Sequence, residues 1–533
     1  MNQIAPAVAM LAVFALVAGG IYLIRQRRDR RKGVLMIACA LVILGNILIW
    51  TMPAHAAATR PAGADGPDRL QQAAIAVDSG DCKKAMSLAG PALKAAAAAD
   101  AGDRSAPLAY TVAAFCALRS GDQAAAYRAA LAGTRFDKAP NMLWTLRLEL
   151  EIFASRHAEA VTTVEAMRDG RGGALNAMPI RSMYRLTGDL DKAKAVALQR
   201  RLLRVLTDNA YDPDEAVAPL DGFRQSYAAI LLADGDTAGA TAQIRQIEEP
   251  SVAIELWADP RFRPLLPPDF DIRAVTERAL AAAMATREQN GNLLEPINRA
   301  GRHLRVLGRL QASLEVLETA RANGRELASF SDADTYANWW WDEMARTYAA
   351  LNRPDDAIAA LRAGGAISEM GSINVSQLIN LAGLQSAFDR PADALVTLAP
   401  FATAKRPVSP YGEAEMRFQR GCASALTGDL KAMASDRDYL ESHRADHPRA
   451  LLGLLLCIGD LDAAAGVVIA QLDDPDQRVA MRLFLADYDA PVVALPPDPI
   501  DRQLPALKAR ADVQAAITRA GGALRVPLQS QPM

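Results

Sequence analysis

A short phrase recurs along this 533-residue chain and sets the terms of its fold. A two-residue turn, often Gly-Asp, is followed by a small residue five positions after the first turn residue. It is written "SGDCKKAMSLA", "SGDQAAAYRAA", "SRHAEAVTTV", "TGDLDKAKAVA", "DGDTAGATAQI", "LGRLQASLEVL", "NRPDDAIAAL", "DRPADALVTL", "TGDLKAMASD" and "GDLDAAAGVV". The small residues are Ala85, Ala126, Ala160, Ala193, Ala240, Ser313, Ala357, Ala394 and Ala464, with Met433 as the exception. Successive spacings are 41, 34, 33, 47, 73, 44, 37, 39 and 31 residues, most of them near the length of a two-helix unit. A hairpin of that size cannot bury its apolar face alone. It must stack on its neighbours, which makes an array the expected architecture.

The stretch before each turn carries its own pattern. Trp341 stands sixteen residues before Ala357, Ala345 twelve and Tyr348 nine. The same frame places Trp144 sixteen before Ala160, and Tyr110 and Ala114 sixteen and twelve before Ala126. Gly301 precedes Ser313 by twelve, and Ala382 precedes Ala394 by twelve. Hydrophobic residues make up 51% of the chain but aromatics only 5%, because alanine fills the difference. Alanine favours helix and disfavours strand.

This pattern resembles the tetratricopeptide repeat from about Asp68 to Leu472. The resemblance implies an all-α solenoid of antiparallel helix pairs, with small residues where helices cross and an aromatic wedge at the open end. It lapses between about Pro250 and Asn290, where another similarity lies. "ELWADPRFRPLLPP" from Glu255 and "ALKARADVQAAITRAGG" from Ala506 share an apolar residue, a charged turn and an apolar pair. Both read as elements that end a run of hairpins. Two blocks are therefore expected, 68–268 and 269–520, meeting at Pro267-Pro268, where a double proline stops a helix. A linker at 57–67 and a tail at 521–533 complete the division.

Residues 1–56 read as a transmembrane hairpin. Ile4 to Ile24 is a run of 21 uncharged residues, long enough to span a bilayer. "RQRRDRRK" follows, then a second apolar run from Val34 to Trp50. A basic loop stays cytoplasmic, so the main body is expected on the far side of a bacterial inner membrane, in the periplasm. Ala54 and Ala56 give the small-x-small pattern of a signal-peptidase site, so the second run is either cleaved after Ala56 or retained as an anchor. The formal net charge is −2. The stretch Arg25 to Lys32 contributes six positive charges and one negative, leaving −2 − (+5) = −7 elsewhere. No basic domain survives that subtraction, which argues against a nucleic-acid partner.

An oxidising compartment permits disulfides. The pairs Cys82 with Cys116 and Cys422 with Cys457 each span about one repeat, and the sequence leaves open whether they are bridged or are four buried thiols. No Gly-rich phosphate loop, nucleophile elbow or Cys-His motif is present, and no cofactor or enzyme is expected. His443 and His447 have the i, i+4 spacing of metal ligands, but Pro448 ends the helix and no third ligand is near in sequence. Asp332 and Asp334 read as a helix cap.

"NWWWDEMARTY" supplies the candidate site. Consecutive helical residues lie about 100° apart, so three adjacent tryptophans cannot share one core. Trp341, Met344, Ala345 and Tyr348 share the face that matches the repeat, which assigns Trp341 to the core. Trp340 lies between faces, against the adjacent hairpin. Trp339, Asp342, Arg346 and Ala349 share a second face. In the tetratricopeptide repeat the corresponding face of the first helix lines the concave groove, so Trp339, Asp342 and Arg346 are the expected partner-binding residues. The function expected is a non-catalytic, membrane-tethered periplasmic scaffold that holds a protein or peptide in a superhelical groove, in envelope assembly, secretion or polysaccharide export. One alternative is a cytochrome c maturation-type assembly factor that captures apoprotein. Another is a helical-toroid glycan-cleaving enzyme, for which no paired carboxylates stand out.

Overall fold

The computed structural model describes residues 65–530, apart from short stretches at 97, 170–171, 209–210, 214–219, 370 and 404–407. The expected transmembrane hairpin, its basic loop and the site after Ala56 lie outside the described residues. Among the described residues no helix is long and apolar enough to cross a membrane.

The recurring phrase has a simple physical basis. At nine of the ten turns the first residue adopts the left-handed conformation: Gly80, Gly121, Ser155, Gly235, Gly308, Asn352, Asp389, Gly428 and Gly459. Six of the nine are glycine, which enters this region without a Cβ penalty. The next residue donates its backbone N–H back five positions, as Asp122 N does to the Ala117 carbonyl at 2.9 Å and Asp460 N to Leu455 at 2.9 Å. That bond satisfies a carbonyl left over at the end of the first helix. The Asp side chain then caps the second helix: Asp122 accepts from Ala125 N at 2.8 Å, and Asp429 from Ala432 N at 3.0 Å. Gly-Asp thus ends one helix and starts the next in two residues. The tenth turn differs from expectation. Gly188 and Asp189 lie inside the helix Ile180–Lys192, and the left-handed residue is Lys194. Ala193 is consequently exposed.

The described residues fall into two compact units divided between Gln243 and Ile244, so Pro267-Pro268 falls within the second. The first unit runs α1 (Asp65–Asp78), α2 (Cys82–Ala96), α3 (Ser105–Arg119), α4 (Gln123–Gly133), α5 (Asn141–Phe153), α6 (His157–Arg168), α7 (Gly172–Asn176), α8 (Ile180–Lys192), α9 (Val196–Leu206), α10 (Asp221–Ala233) and α11 (Thr237–Ile244). Its core is built where small residues let helices approach. Ala85, Ala114, Ala126 and Ala160 are fully buried, and Trp144 packs beside Val161 and Leu186.

The second unit runs α12 (Pro250–Ala258), α13 (Ile272–Gln289), α14 (Glu295–Val306), α15 (Leu310–Glu318), α16 (Ala333–Ala350), α17 (Pro354–Gly365), α18 (Val375–Ala387), α19 (Pro391–Leu398), α20 (Pro410–Thr427), α21 (Leu430–Ser442), α22 (Ala450–Cys457), α23 (Leu461–Asp473) and α24 (Arg478–Phe484). Then come β1 (Asp487–Asp489), α25 (Leu504–Lys508), α26 (Ala511–Arg519) and β2 (Arg525–Gln529). The two short strands pair in parallel, and with an isolated bridge between Glu369 and Ser372 they are the β-structure of an otherwise helical unit among the described residues. Neighbouring first helices pack on one another (α14 on α16, α18 on α20, α20 on α22). The second helices α15, α17, α19 and α21 make no comparable contact with each other. The unit therefore curves with its first helices inside. The two similar closing elements do not end separate blocks. Both belong to this unit and meet, with Gly521 against Pro260.

Both cysteine pairs are bridged, with Cα–Cα distances of 5.4 Å for Cys82–Cys116 and 5.7 Å for Cys422–Cys457. Each joins successive hairpins, the first between α2 and α3 and the second between α20 and α22.

Candidate functional site

Helix α16 carries the three tryptophans, and each has a different fate. Trp340 is 1% exposed and is the largest fully buried side chain among the described residues. Its indole Nε1 donates to the Leu317 carbonyl at 2.9 Å. That carbonyl lies in the last turn of the nine-residue α15, where helical partners run out. The expectation that Trp340 meets the adjacent hairpin holds, but it is also the core anchor. Trp341 was assigned to the core and is only half-buried. The reason is that α15 stops at Glu318 and continues as a 3₁₀ turn, leaving a gap above α16. Trp341 stands edge-on to Trp340 at 4.7 Å, with the Arg321 guanidinium 5.5 Å from its ring centre.

The gap is a cavity of about 380 Å³ between α15 and α17. Trp341, Met344 and Tyr348 form its floor, Ala359, Ala360 and Ala363 one wall, and Glu318 and Arg321 the opposite rim. The row of alanines on α17 was the available signal for it, since a helix face without side-chain bulk leaves room beside it.

Trp339 points the other way and is 41% exposed. Asp342 and Arg346 do not flank it as free charges. Asp342 is buried, accepting from Arg346 Nε at 2.7 Å and from Asn380 Nδ2 of α18 at 2.8 Å. Ala349 is also buried. The face expected to line a groove is thus mostly occupied by the joint between first helices, and Trp339 is the member left open.

That joint continues toward α14. Arg305 and Glu343 are both buried and paired at 2.6 Å, with a second bond at 3.3 Å. Burial pushes the Glu343 carboxyl up, but Arg305, with Arg302 and Arg346, outweighs it and holds the group below the usual range. Arg302 reaches the same carboxylate at 3.8 Å while its side chain is 52% exposed. The sequence reading missed Arg302, whose signal was its place on the same helical row as Glu295 and Arg299. His303 is buried, and burial followed by the charges of Arg302 and Arg299 pulls its imidazole down to about 4. It is therefore neutral at physiological pH. Asp332 does cap a helix, but in the neighbouring hairpin: its carboxylate accepts from Leu294 N at 2.8 Å and Glu295 N at 2.9 Å at the start of α14.

The two spaced histidines have separate partners. His447 pairs with Glu415 at 2.7 Å and stacks on Tyr411, whereas His443 stacks on Tyr439. Among the described residues no group of side chains could hold a metal ion.

The antiparallel hairpins, their left-handed turns and their alanine crossings define a tetratricopeptide-like repeat protein. No protein-family model matches the chain, and no curated protein matches it. Solved structures with a similar run of helices include Naa15/Naa10 bound to HypK-THB, 13% identical with a TM-score of 0.25, covering 96% of this chain and 73% of that one. Yeast Tom70 is 11% identical with a TM-score of 0.33, covering 78% of this chain and 94% of that one. The tetratricopeptide domain of P58(IPK) is 12% identical with a TM-score of 0.20, covering 77% and 100%. The fold assignment rests on the hairpin geometry, not on these likenesses.

Proposed function

We propose that the protein is a non-catalytic scaffold that holds a protein or peptide segment on the inner face of its second unit, with Trp339 as the anchor. One observation carries this reading. In a layer where Asp342, Glu343 and Arg305 are buried in ionic joints, a large aromatic remains exposed. Exposed aromatics beside arginine are what protein interfaces use as anchors. The rest of the proposal concerns place. The apolar runs at 4–24 and 34–50 tether the chain to a membrane, and the basic segment between them puts the body outside the cytoplasm. Two disulfides support an oxidising compartment. Envelope assembly, secretion or polysaccharide export is the setting that combination suits.

The test is co-purification from solubilised membranes with the parent chain and with Trp339→Ala, both shown to be folded by circular dichroism. A partner recovered with the parent and lost with Trp339→Ala is the expected result. An identical set of partners from both would remove Trp339 from recognition.

A further inference from the structure

The two ends of the second unit meet in a built seam. α24 packs on α12, and β2 lies against α13 and α14. Val275 and Leu304 from the start of the unit share one apolar cluster with Ala486, Leu524, Val526 and Leu528 from its end. Arg482 locks the seam. It is 3% exposed, and its guanidinium donates to the carbonyls of Ala258, Gly521 and Gly522, the last two at 3.0 and 3.1 Å. Those carbonyls terminate α12 and follow α26, where helix dipoles concentrate partial negative charge, so a buried cation is held there by carbonyls, with the Asp259 carboxylate adding a favourable charge. Farther out, Arg273 of α13 pairs with Asp489 of β1 at 2.8 Å.

An array that curves with its first helices inside, and whose last elements seat on its first, is a ring. We infer that residues 474–529 act as a clasp that closes the second unit, so that its inner face admits an extended polypeptide segment and excludes a folded surface. By the alternation of the hairpins the inner layer comprises α12, α14, α16, α18, α20, α22 and α24, with contacts linking α14 to α16, α18 to α20, α20 to α22 and, across the seam, α24 to α12. With helix axes about 8–10 Å apart, a ring of these leaves an opening of roughly 10 Å, the width of an extended chain. This inference rests on the reading that the inner face is where the partner binds, and it specifies that partner as an unfolded segment.

Site-directed labelling tests the ring without any partner. In the full chain with Cys39→Ser, a cysteine is placed at Trp339 on the inner face or at Val396, which is 73% exposed on the second helix α19. Each is treated with a small maleimide, with a maleimide on a flexible polymer, and with a maleimide fixed to a small folded protein. Trp339→Cys should react with the first two, and with the protein-borne reagent about tenfold more slowly than Val396→Cys. Adding Arg482→Met should abolish that difference while circular dichroism stays unchanged. If Arg482→Met does not fold, Arg273→Ala with Asp489→Ala opens the exposed end of the seam and is read in the same way. Equal rates at both positions with the protein-borne reagent in the parent would show that no ring closes. A folded clasp variant that leaves the difference intact would show that the clasp is not what closes it. Neither result depends on Trp339 binding a partner, so failure of the binding proposal remains distinguishable.

Discussion

Three neighbouring tryptophans meet three different environments within one helical turn, from fully enclosed to exposed. Trp340 is enclosed and hydrogen-bonded, so Trp340→Ala should cost roughly 3–5 kcal/mol by urea unfolding. Trp339→Ala should cost far less, about 1 kcal/mol or below, since 41% of its surface is already in solvent. A large loss from Trp339→Ala would make it a packing residue. His303 offers a second residue-scale test. Its unfolded imidazole takes a proton near 6.5 and its buried form only near 4, so over that interval the unfolded state binds more protons. Stability from this residue is therefore lost as pH falls, by about 2 kcal/mol between pH 7 and pH 5. Asp501, raised to about 6 by burial and then by Asp498, works in the opposite sense. The informative quantity is the difference between the parent and His303→Leu. Urea midpoints that shift identically with pH in both would contradict a buried neutral His303.

At the scale of elements, the turns were readable because one chemical requirement recurs: a residue that tolerates left-handed backbone followed by a side chain that caps. Lys194 evades that reading since neither it nor the following Ala195 announces a turn, and the more conventional Gly188-Asp189 is absorbed into α8. The roles of Trp340 and Trp341 were not readable because they depend on where α15 ends, a property of the preceding hairpin. The same holds for Asp332, whose backbone partners lie 37 and 38 residues upstream. The left-handed turns predict that Gly428→Ala, at φ 87° with no neighbour crowding its position, destabilises by about 1–2 kcal/mol through backbone conformation alone. Circular dichroism melting checks it, and an unchanged midpoint would speak against the turn geometry. The two disulfides close loops spanning 34 and 35 residues, worth about 3–4 kcal/mol each on chain-entropy grounds. Replacing Cys82 and Cys116 by serine should lower the unfolding transition of the first unit, and replacing Cys422 and Cys457 that of the second. A single transition shifted equally by either pair would show that the units do not unfold separately.

Over the whole molecule, sequence and structure inform different parts. The repeat and its helical class were visible in spacing and in alanine content. The contacts between the beginning and end of the second unit were not, because residues such as Arg273 and Asp489 are 216 positions apart and no local pattern links them. The proposed membrane tether is read from the apolar runs at 4–24 and 34–50, and if it holds, a reporter active only outside the cytoplasm, fused after Pro61, should be active. Activity of a cytoplasm-only reporter at that point would reverse the orientation. The central claim is that the inner face of the second unit, marked by Trp339, holds a polypeptide partner. Photo-crosslinking in intact cells tests it most directly, with a photoreactive amino acid at position 339 and, as the control, at position 396 on the outer helix layer. The account predicts a discrete crosslinked protein from 339 and none from 396. Crosslinks of the same pattern and yield from both positions, or none from 339 in a folded chain, would contradict it.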